Sequence, residues 1–291
     1  MPVSTRAIRR IGTREFDFDR QVAVMAIVNR TPDSFYDKGA TFALDRAVEA
    51  ALKAADDGAD WVDIGGVPFG KGPEVSTQEE IDRVVPVVEA IAAASDVVIS
   101  VDTFSAAVAE ASIAAGAAVI NDTSGLWDAG MVAAIARTQA TLVLTHSLNP
   151  PRSAPPRPQY EDVVTEVADY LRDRVARAVA GRIPLERLIV DPGHDLNKNT
   201  LHSLEITRRL DEIVAIGLPT LAAVSNKDFV GESIDRERHA RLEGSLAAAV
   251  FCIMKGARIV RMHDVPASVA AVRMTEAILG WREPAWMEHN V

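Results

Sequence analysis

Eight short apolar runs punctuate this chain, with long Ala-rich segments at helical spacing between them. The runs are "VAVMAIVN" (22–29), "ADWVDIGG" (59–66), "DVVISVDT" (96–103) and "AAVINDTS" (117–124), then "TLVLTH" (141–146), "RLIVDPG" (187–193), "PTLAAVSN" (219–226) and "ARIVRMHD" (257–264). Runs this short and this continuously apolar suit parallel strands covered on both faces. The segments between them read as helices. "ALDRAVEAALKAADDG" (43–58) sets Ala43, Ala47, Ala50, Ala51 and Ala54 at helical spacing and stops at Gly58, a residue type that ends helices. "STQEEIDRVVPVVEAIAAA" (76–94) opens with Ser/Thr and an acidic first turn, which satisfies free N–H groups and the positive end of the helix dipole. Further helices are expected over 105–116, 127–139, 160–181, 201–217, 236–256 and 266–280. Eight strands alternating with eight helices predict an α/β (β/α)8 TIM barrel. A doubly wound open sheet obeys the same alternation and is the alternative. No composition break marks a second domain, so 1–291 reads as one domain: an N-terminal extension over 1–21, the barrel over 22–281 and a tail over 282–291. The extension reads as an extra hairpin or cover. The Pro-rich stretch "NPPRSAPPRPQ" (149–159) is short enough to be a loop between strand and helix.

Charge and cysteine content bound the function. The formal net charge is -10, which argues against nucleic acid, whose affinity comes mainly from cations on phosphates. An anionic small molecule stays possible where a few cations are concentrated. Cys252 is the one cysteine, so no disulfide framework exists and a reducing compartment is expected. No apolar run approaches the ~20 residues of a membrane span. The opening "MPVSTRAIRRIGTREF" lacks the apolar core of a signal peptide. A cytoplasmic protein, with neither membrane nor nucleic acid as partner, is the expectation.

In a barrel of this kind the chemistry gathers at the C-terminal strand ends. In order they offer Asn29; Asp63 with Gly65 and Gly66; Asp102 and Thr103; Asn121 and Asp122; His146; Asp191; Ser225, Asn226 and Lys227; and Arg261, His263 and Asp264. Carboxylates and an Asn on one rim can read a heterocycle rich in N–H donors, since a carboxylate accepts two parallel bonds from a guanidine-like edge. Lys227, Arg261 and His263 supply the charge a pyrophosphate requires. An Asn on the first strand can meet Mg²⁺ carried by phosphates, because Mg²⁺ takes oxygen ligands and few protein groups. No zinc spacing, Gly-x-Ser-x-Gly or phosphate-binding Gly-rich loop motif appears. Plainer roles compete: Asp102 as a helix cap, Asp191 as a turn former, His146 as a core histidine and Lys227 as a solvated lysine. Arg261 and His263 alternate onto one face, and a buried guanidinium is costly unless paired, which favours a function there.

These strand ends resemble those of the dihydropteroate synthase family, which condenses 6-hydroxymethyl-7,8-dihydropterin pyrophosphate with p-aminobenzoate. The likeness runs from Val24 onward. "IVNRTPDSFYDKGA" is similar to the family's Asn-Val-Thr-Pro-Asp-Ser-Phe-Ser-Asp-Gly-Gly, and "GADWVDIGG", "ISVDTFSAAVAEASIAAGAAVINDTSG", "IVDPG", "SNKDFVG" and "ARIVRMHDV" follow it. The resemblance implies that Asn29 touches Mg²⁺ and pyrophosphate. It implies that Asp102, Asn121, Asp191 and Lys227 bind the pterin. Arg261 and His263 would hold the pyrophosphate and, with Asn29, serve catalysis. It also implies a homodimer packed through outer helices.

The departures cluster elsewhere. After Gly65-Gly66 the family has Glu-Ser-Thr-Arg-Pro-Gly, whereas this chain has "VPFGKG" (67–72). Lys71 is a displaced point charge and does not replace a guanidinium fork. Leu196 stands for an aromatic ring, Asn226 for an Arg, "LTHSL" for Met-His-Met and Arg30 for a Val. The expectation is a pterin-binding homologue whose condensation with p-aminobenzoate is lost or severely weakened. The alternatives are an active synthase in which Lys71, Arg30 or Lys198 compensates, and a methyltetrahydrofolate-type pterin-dependent methyltransferase.

Overall fold

The structure is a computed structural model that describes residues 8–29, 40–154 and 157–289; the side chains of 29 and 40–43 lie outside that description, as does the "TPDSF" motif. Ten strands alternate with ten helices among the described residues. β1 (Ile8–Ile11) and β2 (Arg14–Asp17) form an antiparallel hairpin. The barrel strands are β3 (Ala23–Asn29), β4 (Trp61–Gly65), β5 (Val98–Asp102), β6 (Val119–Asp122), β7 (Thr141–Thr145), β8 (Leu188–Asp191), β9 (Leu221–Ala222) and β10 (Ile259–Met262). They pair in parallel in the order β8-β7-β6-β5-β4-β3-β10-β9. A parallel bridge between Val190 and Thr220 joins the two ends, with the Val190 N–H 3.1 Å from the Pro219 carbonyl. The sheet therefore closes into a barrel, and the open-sheet alternative falls.

Alternation along each strand sorts the apolar side chains into two cores. Val24, Ala26, Val62, Ile64, Ile99, Val101, Ile120, Leu142, Leu144, Val190 and Val260 face outward into one large cluster with the helices. Ala23, Met25, Trp61, Val98, Val119, Val143, Ile189, Leu221 and Ile259 face inward. The hairpin seals that inner core from below. Phe16 packs edge-on against Trp61 at 5.6 Å and stacks with Phe18 at 5.8 Å. Burying each such side chain contributes about 1.5–3 kcal/mol. Arg14 ties the hairpin to the barrel floor through Asp60.

The helices are α1 (Ala40–Asp56), α2 (Thr77–Ala94), α3 (Ala106–Ala115), α4 (Met131–Ala136), α5 (Val163–Ala180), α6 (Thr200–Arg208), α7 (Leu210–Val214), α8 (Asp228–Ile234), α9 (Leu242–Met254) and α10 (Val265–Ile278). Four differ from the periodic reading: the expected helix over 127–139 shortens to α4, that over 236–256 becomes a 3-10 turn (Arg238–Ala240) before α9, and two more differ as follows. The expected helix over 201–217 breaks at Arg209 into α6 and α7. The segment "DFVG" forms α8, not a loop, because Asp195 from another strand's loop accepts from the Asp228 N–H at 2.6 Å and caps the new helix. None of the helices described is long and apolar enough to cross a membrane.

Candidate functional site

Strand alternation places a polar layer directly above the inner core. Two residues beyond Trp61 comes Asp63, and two beyond Val98 comes Ser100, then Asp102. Likewise Asn121 follows Val119, Asp191 follows Ile189, and Arg261 follows Ile259. Asp63 is fully buried and is the hub. Its carboxylate accepts from the Ser100 hydroxyl at 2.6 Å, the Asn121 amide at 3.1 Å and Arg261 Nε at 2.6 Å. A second nitrogen of Arg261 reaches Asp102 at 3.2 Å, and Thr123 donates to the same carboxylate at 3.2 Å. One guanidinium thus bridges two carboxylates, the arrangement a planar fork suits. Burial opposes the charge of Arg261, but Asp63 and Asp102 outweigh it and hold its pKa above the ordinary value.

Asp102 pulls the other way. Burial, helped by the negative charge of Asp63 and opposed by Arg261, pushes its carboxyl up to about 7. Asp191 is also raised by burial, against the Gly193 N–H at 2.7 Å and the positive charges of Lys227, Lys198 and Arg261. Lys227 directly precedes α8, and burial lowers its ammonium while Asp195, Asp191 and Asp102 support it. The Oδ1 atom of Asn121 is buried without a hydrogen-bond partner among the described residues. A donor-rich ring lying on this layer would find an acceptor there.

His263 lies on the rim just beyond β10. Its own N–H donates to Ser225 Oγ at 3.1 Å, and that hydroxyl lies 2.9 Å from Nδ1. With Nδ1 accepting, the neutral ring presents Nε2–H outward. Partial burial and the charges of Arg261, Arg238 and Lys227 push the ring down to about 4. Asn29 ends β3 beside Gly65 in register. Among the described residues no group of His, Cys, Asp or Glu could hold a metal by itself.

Other strand-end residues point away from the lumen. Asp122 faces outward and accepts from the Ser124 N–H at 2.9 Å and the Leu126 N–H at 2.8 Å, forming a turn. Asp264 caps α10 through the Ala267 N–H at 3.0 Å. His146 packs against the Tyr170 ring at 4.7 Å and accepts from Lys198 at 2.8 Å. It is the core histidine of the plainer reading. Lys198 spends its other N–H groups on the carbonyls of Gly193 at 2.9 Å and Leu196 at 2.8 Å. Asn226 takes a left-handed φ of 55°, which Asn tolerates, and its carbonyl and that of Lys227 accept from Arg241 at 3.0 and 3.1 Å.

The second loop has an arrangement with no signature in the sequence. The Arg152 guanidinium, from the loop after β7, donates to the carbonyls of Pro68 at 2.7 Å, Gly70 at 2.6 Å and Pro73. Its backbone N–H donates to the Phe69 carbonyl at 2.9 Å. Phe69 meets Phe104 edge-on at 6.4 Å. Lys71 is exposed and makes no hydrogen bond or ion pair among the described residues. Asp63 was among the strand-end residues but carried no assigned role; its place two residues after inward Trp61 was the signal for its hub position.

This arrangement can hold a flat, donor-rich ring on buried carboxylates, with positive charge beside it for an anionic tail. Comparison with known proteins agrees. The family model described as "Pterin binding enzyme" matches residues 25–263. "Inactive dihydropteroate synthase 2" of Mycobacterium tuberculosis is 45% identical over 267 residues, covering 90% of this chain and 84% of that protein. Dihydropteroate synthase of Escherichia coli is 41% identical over 261 residues, covering 89% and 93%. Among solved structures, Xanthomonas albilineans dihydropteroate synthase with 4-aminobenzoic acid superposes with a TM-score of 0.87 at 37% identity, covering 94% of this chain and 98% of that one. Homologues thus include one named inactive and one named simply dihydropteroate synthase, and the chain belongs to the pterin binding enzyme family, among the dihydropteroate synthases.

Proposed function

We propose that this protein binds dihydropterin pyrophosphate and condenses it with p-aminobenzoate poorly or not at all. The observation that carries the reading is a division of the mouth. The inward layer of Asp102, Asn121 and Asp191, with Lys227, Arg261 and His263 around it, is assembled. The second loop directs no guanidinium at the mouth: Arg152 is spent on backbone carbonyls and Lys71 is exposed.

The pterin would lie with its N–H edge on Asp102 and Asp191 and its acceptors near Lys227. Arg261 shares Asp102, so the pyrophosphate would draw Arg261 off as the ring takes over the carboxylate. The two halves of the ligand then assist one another. Mg²⁺ would enter as the counter-ion of the pyrophosphate, with Asn29 at the rim as its protein contact. The absence of any self-sufficient acidic cluster among the described residues suits a metal held mainly by phosphate oxygens. When bound it supplies charge neutralisation on the leaving group. Arg261 and the Nε2–H of His263 would stabilise the same departing oxygens. The amine of the acceptor is the nucleophile, so the chain needs none.

The missing groups set the scale of the defect. Each lost hydrogen bond to a charged group costs roughly 1.5–3 kcal/mol. Two guanidiniums and a ring sum to about 5 kcal/mol, or some thousandfold in rate. The second reading, an active synthase, needs a compensating cation. Lys198 is engaged with His146 and two carbonyls, and Arg30 lies outside the described residues. The synthase relatives, together with Arg261 and His263 beside the ring acids, disfavour the methyltransferase reading. A homodimer through the outer helices is part of the proposal, supported by exposed Phe251 and Met254 on α9 and Met274 and Ile278 on α10. So is a cytoplasmic location, supported by the single buried cysteine.

The test follows pyrophosphate release from purified protein with dihydropterin pyrophosphate, Mg²⁺ and p-aminobenzoate, with calorimetric pterin binding on the same sample. Binding without turnover supports the proposal. Turnover matching the Escherichia coli relative, assayed alongside, overturns it.

A further inference from the structure

We propose that Arg152 is a positioning residue that latches the loop after β4 to the loop after β7. The latch sets the 66–75 loop over the mouth before any ligand arrives. The inference goes beyond the pterin reading and does not depend on it.

Three observations meet at this side chain. Its guanidinium donates to carbonyls at Pro68, Gly70 and Pro73, which span the loop from end to end. Its backbone N–H adds a bond to the Phe69 carbonyl at 2.9 Å. Arg152 also holds a left-handed φ of 64°, a conformation that non-Gly residues adopt only when their surroundings favour it. The loop cannot hold itself in this way. Val-Pro-Phe-Gly-Lys-Gly-Pro has one side-chain donor, Lys71, which is exposed and bonds none of these carbonyls among the described residues, and two prolines remove backbone donors. The three carbonyls converge on one guanidinium, whose five donors lie in a fixed planar fork that the single point charge of an ammonium reproduces only in part.

The consequence is local and specific. With its carbonyls held, the loop buries Val67 and places Phe69 edge-on to Phe104, two residues beyond Asp102. The side of the mouth next to that acid becomes an aromatic wall carried on a tethered loop. Two loops far apart in sequence then move as one body. Among the described residues Arg152 makes no hydrogen bond to an inward residue of the barrel, so its loss is expected to leave the polar layer intact.

Trypsin reads the latch directly. Lys71 is the one trypsin site within the 66–75 loop, and Gly72 follows it. The rate of cleavage after Lys71, followed by fragment mass, is compared in the native protein, Arg152→Lys and Arg152→Ala. Each is measured with and without dihydropterin pyrophosphate and Mg²⁺. Arg152→Ala is expected to be cut at least tenfold faster, with Arg152→Lys in between and melting temperatures within about 2 °C of the native protein. The native rate is expected to change less than twofold on adding ligand, because the loop is already set. Equal rates in all three proteins overturn the latch. So does a tenfold slowing of the native protein by ligand, because the ligand would then be ordering the loop. A protein that does not bind the pterin removes the ligand effect from every arm and leaves the Arg152 comparison intact, so the two proposals fail separately.

Discussion

The two sides of the barrel mouth use arginine in opposite ways. On the pterin side, Arg261 rises from a strand and bridges the carboxylates of Asp63 and Asp102. On the facing loop, Arg152 turns its donors onto backbone carbonyls. One guanidinium bridges carboxylates that the proposed ligand would share, and the other is consumed in architecture. Charge alone therefore says little about function; what the charge is paired with decides. A carboxylate partner can be handed to an incoming donor, whereas a set of loop carbonyls is a structural obligation.

The sharpest way to break this contrast is to remove the hub. Asp63→Ala leaves Arg261, Ser100 and Asn121 facing an empty buried position. Breaking a buried pair in this way costs about 3–5 kcal/mol, so the urea midpoint falls and pterin binding goes with it. A variant of native stability would mean that Asp63 is not the keystone described above.

A smaller effect is expected from Asp102→Asn or Asp191→Asn. Each trades a charged acceptor for a neutral one at the face of the site, a loss of roughly 1.5–3 kcal/mol, or about 10- to 150-fold in pterin affinity by calorimetry. Native affinity in both would remove these acids from the pterin contact.

Acidity offers a finer test. A carboxyl raised in the folded protein favours the native state while it carries its proton. Its contribution from Asp102 is complete below 3.8 and is lost as pH rises through about 7. A ligand that donates to it needs the carboxylate. Pterin affinity should therefore climb by up to about tenfold per pH unit below 7 and level off above. Calorimetry near pH 6 in two buffers of different ionisation heat would register the released proton. Burial pulls Lys198 down to about 7 as well, and Asp102→Asn separates the two, since only the Asp102 contribution disappears. The smallest effect belongs to Lys71→Ala, expected within about 0.5 kcal/mol in pterin affinity. A large loss of affinity, or of turnover where any exists, would restore Lys71 as the compensating cation.

The unequal legibility of the two sides has a physical cause. The barrel was readable because each strand is an apolar run with period-two alternation, so Asp102, Asn121, Asp191 and Arg261 could be placed at strand ends from the sequence. Asp63 was visible at its strand end but not as a hub, because its partners Ser100, Asn121 and Arg261 come from three other strands. Asp122 and Asp264 look the same in sequence as Asp102, yet cap a turn and a helix; one residue of phase turns a side chain from lumen to outside. Arg152 was invisible. Loop carbonyls leave no trace in sequence, and contacts across 79 to 84 residues depend on two irregular paths meeting. The helix at 228–234 escaped for a related reason, since its cap, Asp195, arrives from a different loop.

The hairpin beneath the barrel has one last consequence. With Phe16 and Phe18 packed under Trp61, the lumen is a vessel with a single door. Whatever lies deepest must enter first and leave last. A ring seated on the Asp63 layer would then be trapped by anything that follows it through the mouth. Under the proposed function, a second ligand seated at the mouth would then slow the escape of the first without touching it.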